Sequence, residues 1–362
     1  MKSITYGALA LATLNAVTAQ AQSQVTMYGV VDTGLAYTTN VNAAGNAQVK
    51  MPSLTGSLPS RIGFKVTEDL GGGLQALFVL ENGFSVDSGS INQGGRLFGR
   101  QSWVGLKNAY GTLMLGRQVN MTYLATQKAD VLGPNLFSIS SMDPYLPNAR
   151  SDNAIGYLGN FSDLVIGGTY STGRDTSSAG GAAGTGCAGE VAGNAKACRQ
   201  ITALIGYEST RYGINTSYDI LYGGPGAANG LTSADNHDQR VTANGYVIIG
   251  STKIGAGVIA RRVRAATGTT TSDLYYAGVT QPLSPLLQLD VQAARRNVKD
   301  SSDDTTMLVA RLSYFLSKRT LLYSAIGSMS NEGNAAIALE AGGTVGAGKR
   351  QNGVMAGLRH MF

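Results

Sequence analysis

The chain reads Arg61-Ile62-Gly63-Phe64-Lys65-Val66-Thr67-Glu68-Asp69-Leu70, and its side chains alternate between two chemical kinds. A period of two places successive side chains on opposite faces of an extended strand. The polar face carries Arg61, Gly63, Lys65, Thr67 and Asp69, and the apolar face carries Ile62, Phe64, Val66 and Leu70. The segment therefore predicts a β-strand with one wet and one apolar face.

The same alternation recurs along the rest of the chain. Sixteen runs show it, and an even number suits an antiparallel barrel whose strands run up and down. The runs cover 25–37, 61–70, 74–84, 100–107, 112–117, 153–158, 164–172, 200–208, 212–222, 240–249, 252–264, 273–281, 286–297, 305–316, 320–330 and 352–362.

The connections between these runs alternate in length. Short ones are 71–73, 108–111, 159–163, 209–211, 250–251, 282–285 and 317–319, and long ones include 38–59, 118–152, 173–199, 223–239 and 331–351. Tight turns at one end of the strands and large loops at the other are typical of outer-membrane barrels, whereas a soluble sandwich has no reason to alternate in this way. Such a sheet must close, because an open edge in lipid leaves backbone groups unpaired. The sequence therefore predicts a sixteen-stranded antiparallel transmembrane β-barrel.

Both ends of the chain fit export to the bacterial outer membrane. Lys2 precedes an apolar stretch over 4–17, and Ala19-Gln20-Ala21 has the small-x-small form that a signal peptidase reads. We therefore expect residues 1–21 to be a cleaved signal peptide and residues 22–362 to be the mature barrel. At the other end, an alternating last run stops at Phe362, and a terminal aromatic residue marks many outer-membrane barrels.

Composition excludes several other classes of protein. The 362 residues are 43% hydrophobic and 14% charged, which does not match a disordered chain. After the first twenty-odd positions no apolar run reaches the roughly 18 residues that a spanning helix needs. Two cysteines and two histidines are too few for a disulfide scaffold or a conventional zinc site, and a net charge of +6 is too weak to indicate nucleic acid. We predict no metal site, no cofactor and no nucleic-acid partner.

The sequence resembles the Gram-negative general diffusion porins, in the trimeric branch that includes anion-selective members. The resemblance covers nearly all of the expected mature chain. It rests on Val25-Thr26-Met27-Tyr28-Gly29-Val30-Val31-Asp32, Ser60-Arg61-Ile62-Gly63-Phe64, Thr67-Glu68-Asp69-Leu70-Gly71-Gly72-Gly73-Leu74, Leu97-Phe98-Gly99-Arg100-Gln101, Tyr110-Gly111-Thr112, Leu115-Gly116-Arg117, Leu316-Ser317-Lys318-Arg319-Thr320 and Gly357-Leu358-Arg359-His360-Met361-Phe362. It implies a homotrimer in outer-membrane lipid and lipopolysaccharide, with small anions and hydrophilic solutes passing through each pore.

The resemblance also implies where the pore narrows. Its third long loop, here Gln118 to Asp152, folds inward, and its pore arginines carry over to Arg61, Arg100 and Arg150. Glu81 matches an acidic residue near the same level, and Lys65 shares the inward parity of Arg61. Which of Asp130 or Asp143 faces the pore is left open.

Further basic residues are expected along the pore wall. These are Arg117, Arg261, Arg296 and Arg311. Fixed charges on a narrow wall set the local counter-ion concentration, so a basic lumen favours anions. The alternative is that some of these arginines pair with Asp69, Asp290 or Glu81 and only hold the geometry of the barrel.

Two features leave room for other interpretations. Cys187 and Cys198 lie in one glycine- and alanine-rich loop, and in an exported protein a disulfide between them is more plausible than a metal site. A barrel hydrolase would have to build its catalytic set on His237 or His360. An adhesin or structural barrel would need a plugged lumen, and the loop over 118–152 is short for a plug.

Overall fold

The computed structural model describes residues 24–175 and 185–362, and they form one antiparallel sheet of seventeen strands. The expected signal peptide, residues 1–21, lies outside the described residues. One strand, β2, has only three residues and pairs with β1 inside the first long loop. The other sixteen form a closed barrel, which confirms the predicted fold class.

The strands are β1 Gln24–Thr38, β2 Gln48–Lys50, β3 Arg61–Gly71, β4 Leu74–Gly83, β5 Gln101–Asn108, β6 Gly111–Val119, β7 Arg150–Phe161, β8 Leu164–Ser171, β9 Gln200–Glu208, β10 Tyr212–Tyr222, β11 His237–Ile249, β12 Thr252–Ala265, β13 Gly268–Ser284, β14 Leu287–Val298, β15 Thr305–Phe315, β16 Thr320–Asn331 and β17 Gln351–Met361. Each of the sixteen runs read from the sequence lies on one of them.

The barrel closes where β1 meets β17. These strands pair from Val30 opposite Met361 to Thr38 opposite Gly353, while the other part of β1 pairs with β3. Gly29 and Phe362 then exchange both backbone hydrogen bonds, at 3.1 and 3.2 Å. A Cβ on Gly29 would lie 2.3 Å from Cζ of Phe362, so the terminal ring needs glycine beneath it. The closed seam leaves no unpaired edge for lipid to meet.

The two faces of the sheet differ in chemistry. On β15, Leu308 and Leu312 are exposed, whereas Met307, Val309 and Arg311 are buried. Exposed apolar residues continue this pattern around the barrel, and they form the outer face that lipid covers. The opposite parity is the inner face.

The turns at one end of the barrel are short. Gly71, Gly72 and Gly73 join β3 to β4 with φ of +85°, +61° and +79°, a region that only glycine enters at low cost, and Asp69 Oδ1 accepts a hydrogen bond from the Gly71 N–H at 2.9 Å. At the other end the expected alternation is incomplete. Residues 84–100 form an additional long loop, but β12 and β13 are joined by Ala266 and Thr267 alone, because both strands extend beyond the predicted boundaries.

The loop between β6 and β7 has local structure of its own. It contains helix α2 (Met121–Thr126) and two 3-10 turns at Ile139–Ser141 and Leu146–Asn148, while helix α1 (Asn92–Gly95) is a single turn in the loop before β5. The side chain of Asn120 caps α2 by accepting a hydrogen bond from the Tyr123 N–H. None of the helices in the two described ranges is long and apolar enough to cross a membrane.

Candidate functional site

Two arginines share one carboxylate near the loop end of the barrel. Arg61 is the first residue of β3, Glu81 lies near the end of β4, and Arg100 immediately precedes β5. Arg100 Nε donates to Glu81 Oε1 at 2.6 Å, and Arg61 Nε lies 3.6 Å from Oε2. Tyr28 also donates to Glu81, at 2.9 Å. Two positive charges against one negative charge leave this group with a net charge of +1.

Lys65 extends this basic strip along β3. It has the parity of Arg61, pairs in register with Val79 and Thr26, and is exposed. Within the described ranges, Lys65 makes no ion pair shorter than 4 Å. Its charge therefore adds to that of Arg61 and Arg100 without compensation.

Arg150 differs from the sequence prediction. Only 2% of Arg150 is exposed, because its guanidinium Nη1 donates to the carbonyl of Pro147 at 2.9 Å and lies under the end of the loop. Its charge interacts with those of Arg100 and Arg117. Arg100 is also buried, at 7% exposed, whereas Arg61 is half-buried. The loop that precedes β7 covers Arg150.

Arg117 also departs from its predicted place on the pore wall. It stands opposite Ser102 in register, with the parity of the exposed residues Leu113 and Leu115, and a register shift follows Gly116. Arg117 Nε donates to the carbonyl of Gly99 at 2.7 Å. Nη1 forms an ion pair with Asp152. The structure therefore places Arg117 at the rim of the barrel rather than along its wall.

All three acidic residues of the third long loop are engaged. Asp143 accepts two hydrogen bonds from Arg240 of β11, at 2.8 and 3.0 Å. Asp130 accepts one from Gln292 Nε2 of β14 at 2.8 Å, and Asp152 holds Arg117. The sequence left open whether Asp130 or Asp143 faces the pore, and in the structure both carboxylates are held by partners on the barrel wall.

The loop carboxylates also differ in pKa. Burial alone would raise the pKa of Asp143, but the charges of Arg240 and then Arg261 outweigh burial and hold that pKa well below its usual range. Burial raises the pKa of Asp130, and the hydrogen bond from Gln292 opposes this only in part. Asp143 is therefore the stronger electrostatic tether.

Two of the predicted wall arginines of the later strands contact the loop. Arg311 forms an ion pair with Asp290 at 2.9 Å and donates to the loop carbonyl of Leu132 at 3.0 Å. Arg261 pairs with Asp238 at 2.8 Å and lies 3.9 Å from Asp143 of the loop. Arg311 therefore holds the geometry of the barrel rather than attracting ions, because Asp290 neutralises its charge under the loop.

Arg296 has no such partner. It lies on the inner parity of β14 and borders a small cavity with Asp143 and Arg261, and among the described residues it forms no ion pair. Its charge remains uncompensated beside the loop.

The apolar residues of the loop cover only part of the inner face. Six of them, Leu132, Leu136, Phe137, Ile139, Met142 and Leu146, pack with inner residues of β12 to β17 such as Ile259, Leu274, Met307, Val309, Leu321 and Met355. Helix α2 packs against Val165 and Leu204 of β8 and β9. No residue of β3, β4, β5 or β6 belongs to these clusters, so the apolar residues of the loop do not cover the side of the barrel that carries Arg61 and Arg100.

A cavity of about 570 Å³ opens at the loop end of this basic side. Arg96, Arg100, Arg117 and Arg174 border it, together with Asp175. Arg96 Nη2 lies 2.5 Å from Asp175 and 3.3 Å from Asp152. Three arginines of this region, Arg96, Arg174 and Arg240, were not expected from the sequence. Arg96 and Arg174 stand in loops without periodicity, whereas Arg240 could have been found from its inner parity with Thr242 and Asn244.

A disulfide joins Cys187 to Cys198, with their Cα atoms 5.1 Å apart. Both cysteines are buried against Leu221 and Leu231, so the bond lies where the loop after β8 packs on β10 and on the next loop. No group of three or more metal-ligating side chains is found in the described parts of the chain.

Comparison with known proteins identifies the family. The family model described as Gram-negative porin matches residues 7–334. The chain belongs to the Gram-negative porins. Its sequence is 29% identical to outer membrane porin protein 32 of Delftia acidovorans over 95% of each chain. It is 36% identical to the major outer membrane protein P.IB of Neisseria meningitidis serogroup A, over 39% of this chain and 44% of that one.

Solved porins share the fold. The anion-selective porin from Comamonas acidovorans superposes with a TM-score of 0.77 at 24% identity, over 94% of this chain and all of that one. The loop-deletion mutant of OmpT from Vibrio cholerae gives 0.64 at 15% identity. As a porin, this chain is an outer-membrane protein that crosses the membrane with its strands.

Proposed function

We propose that this porin is a water-filled channel for passive diffusion of small hydrophilic solutes and ions, with a preference for anions. The observation that carries the preference is an imbalance of charge. The loop acids Asp130, Asp143 and Asp152 are all engaged, while Arg61 and Arg100 share a single carboxylate. The similarity to one solved porin that is named as anion-selective agrees with the same preference.

We propose that the loop over 120–149 lies inside the barrel and narrows it opposite β3 to β6. The support comes from its partners, since Arg240, Gln292 and Arg311 all belong to the inner parity of their strands. A passing ion is then confined near Arg61, Lys65 and Arg100. In a narrow pore such fixed charges raise the local concentration of counter-ions.

We propose that the protein has no enzymatic activity. His360 Nδ1 lies 2.9 Å from the Thr320 hydroxyl, and the His237 ring stands edge-on to Tyr222 at 6.4 Å. Among the described residues, neither histidine is paired with both a serine and a carboxylate, as a Ser-His-acid site requires. We propose further that the protein assembles as a homotrimer in outer-membrane lipid and lipopolysaccharide.

Liposome swelling separates the channel from its alternatives. Vesicles carrying the purified protein should swell in isotonic arabinose and more slowly in larger sugars, because a diffusion pore discriminates by size. An adhesin or structural barrel with a blocked lumen, or a hydrolase with a closed lumen, would give no swelling with any sugar. Swelling that is absent in folded protein would therefore refute the channel.

A further inference from the structure

The outer face of β12 changes character near the loop end of the barrel. Its outward residues Ile254, Ala256, Val258 and Ala260 are apolar, and the next two are Arg262 and Arg264. Both arginines are exposed. In register, Arg262 lies between Gln239 and Thr271, and Arg264 lies between His237 and Thr269.

Tyrosines place these arginines relative to the bilayer. Tyr218 is 38% exposed and lies in register with Val241 and, across the next strand, with Ala260. Tyr275 is 48% exposed and lies in register with Val258, two residues before Ala260 on β12 and further from the loop end. Outward aromatic residues form the girdle at the edge of the hydrocarbon region. With a rise of about 3.4 Å per residue, Arg262 and Arg264 lie about 7 and 14 Å beyond Ala260 along the strand. They therefore stand at the depth of lipid headgroups.

Their charges lack protein partners. Within residues 24–175 and 185–362, neither the Arg262 nor the Arg264 side chain forms a hydrogen bond or an ion pair. Other outward basic residues at this end do form ion pairs: Arg295 with Asp304 at 2.9 Å and Lys299 with Asp273 at 2.7 Å. The nearest outward carboxylate, Asp273, lies in register with Ala260, two residues from Arg262, and already forms an ion pair with Lys299. The charges of the two arginines are therefore not neutralised.

This pair suits a phosphorylated ligand. Guanidinium groups donate in a planar fork that matches phosphate oxygens, and two of them on one strand face repel each other unless an anion lies between them. Thr269, Thr271 and His237 add donors on the neighbouring strands. We propose that Arg262 and Arg264 bind the phosphate groups of an anionic lipid headgroup in the outer leaflet. The proposal depends on the outer-membrane location and not on the channel.

Native mass spectrometry of the full protein in detergent tests it with diphosphorylated lipid A as the probe. Arg262→Gln with Arg264→Gln should weaken lipid binding about thirtyfold, since each basic residue near an anionic lipid surface contributes about 1 kcal/mol. The matched control, Arg295→Gln with Lys299→Gln, also removes two outward charges from this end, but those charges already have acidic partners. It should change binding less than twofold.

Three results would overturn the proposal. One is unchanged lipid binding by the Arg262 and Arg264 double variant. Another is equal loss of binding in the control. The third is displacement of the lipid by millimolar inorganic phosphate, which would show a site for the free ion. All proteins are first shown to be folded by heat-modifiable migration on gels, and their conductance should equal that of the parent, so failure of lipid binding and failure of the channel are separate outcomes.

Discussion

Replacing Arg61 and Arg100 by glutamine should lower the preference for anions. The two arginines and Glu81 carry a net charge of +1, and the double variant leaves Glu81 alone with −1. For an ion about 6 Å away, each unit charge contributes about 0.7 kcal/mol in water, which screening at physiological salt reduces to about 0.3 kcal/mol. A change of two charges then lowers the anion density about threefold and raises the cation density about threefold.

The ratio of anion to cation permeability should therefore fall about tenfold. The permeability ratio is measured from the reversal potential of each variant reconstituted separately in planar bilayers. Arg61→Lys with Arg100→Lys keeps both charges and should keep the ratio. Lys349→Gln with Arg350→Gln removes two charges from an exposed loop and should alter the ratio little. A glutamine variant that retains the parental reversal potential would refute the reasoning, because the arginines would then only neutralise Glu81.

Four further outcomes are expected. Because the charges of Arg240 and Arg261 hold the pKa of Asp143 well below its usual range, the carboxylate and its tether remain intact at about pH 4. The difference in current noise between the parent and Asp143→Asn should therefore persist from pH 7 through about pH 4 and shrink only well below that pH. Gly29→Val places a Cβ within 3 Å of the Phe362 ring and the Arg61 carbonyl oxygen, and it should weaken the seam between β1 and β17, seen as a lower transition temperature of the heat-modifiable gel band. Replacing Cys187 and Cys198 by serine should leave conductance intact, and free thiols in the purified parent would contradict the disulfide. Intact-mass measurement should show a mature chain that begins at Gln22, and a retained leader would contradict the expected cleavage.

The barrel could be predicted from the sequence because its information is local. Alternation fixes which residues face lipid, and lipid tolerates no open edge, so sixteen alternating runs leave few possible topologies. The strand boundaries were predicted least well where polar strands extend beyond the membrane. Thr269, Thr270 and Thr271 continue β13 beyond the hydrocarbon region, where no apolar face marks the strand.

The charges of the site were only partly predictable. Arg61, Arg100 and Glu81 were expected from the resemblance to the porin family, and the alternation along β3 agrees for Arg61. Arg117 was expected on the pore wall, although it has the parity of the exposed Leu113 and Leu115, so the alternation along β6 already places it on the outer parity. The partners of Arg311 include Leu132 in the third long loop, and contacts between positions so distant in the chain have no local signal.

The reversal potential of the parent protein tests the central claim most directly. A single trimer or monomer is inserted in a planar bilayer that separates potassium chloride solutions of tenfold different concentration. An anion preference predicts a reversal potential with the sign of the chloride equilibrium potential, towards the limit of about 59 mV that a perfectly selective channel for a single monovalent ion would reach. A potential of zero, or one with the sign of the potassium equilibrium potential, would contradict the anion preference. The net positive charge of Arg61, Lys65, Arg100 and Glu81 would then not face the path of the ions.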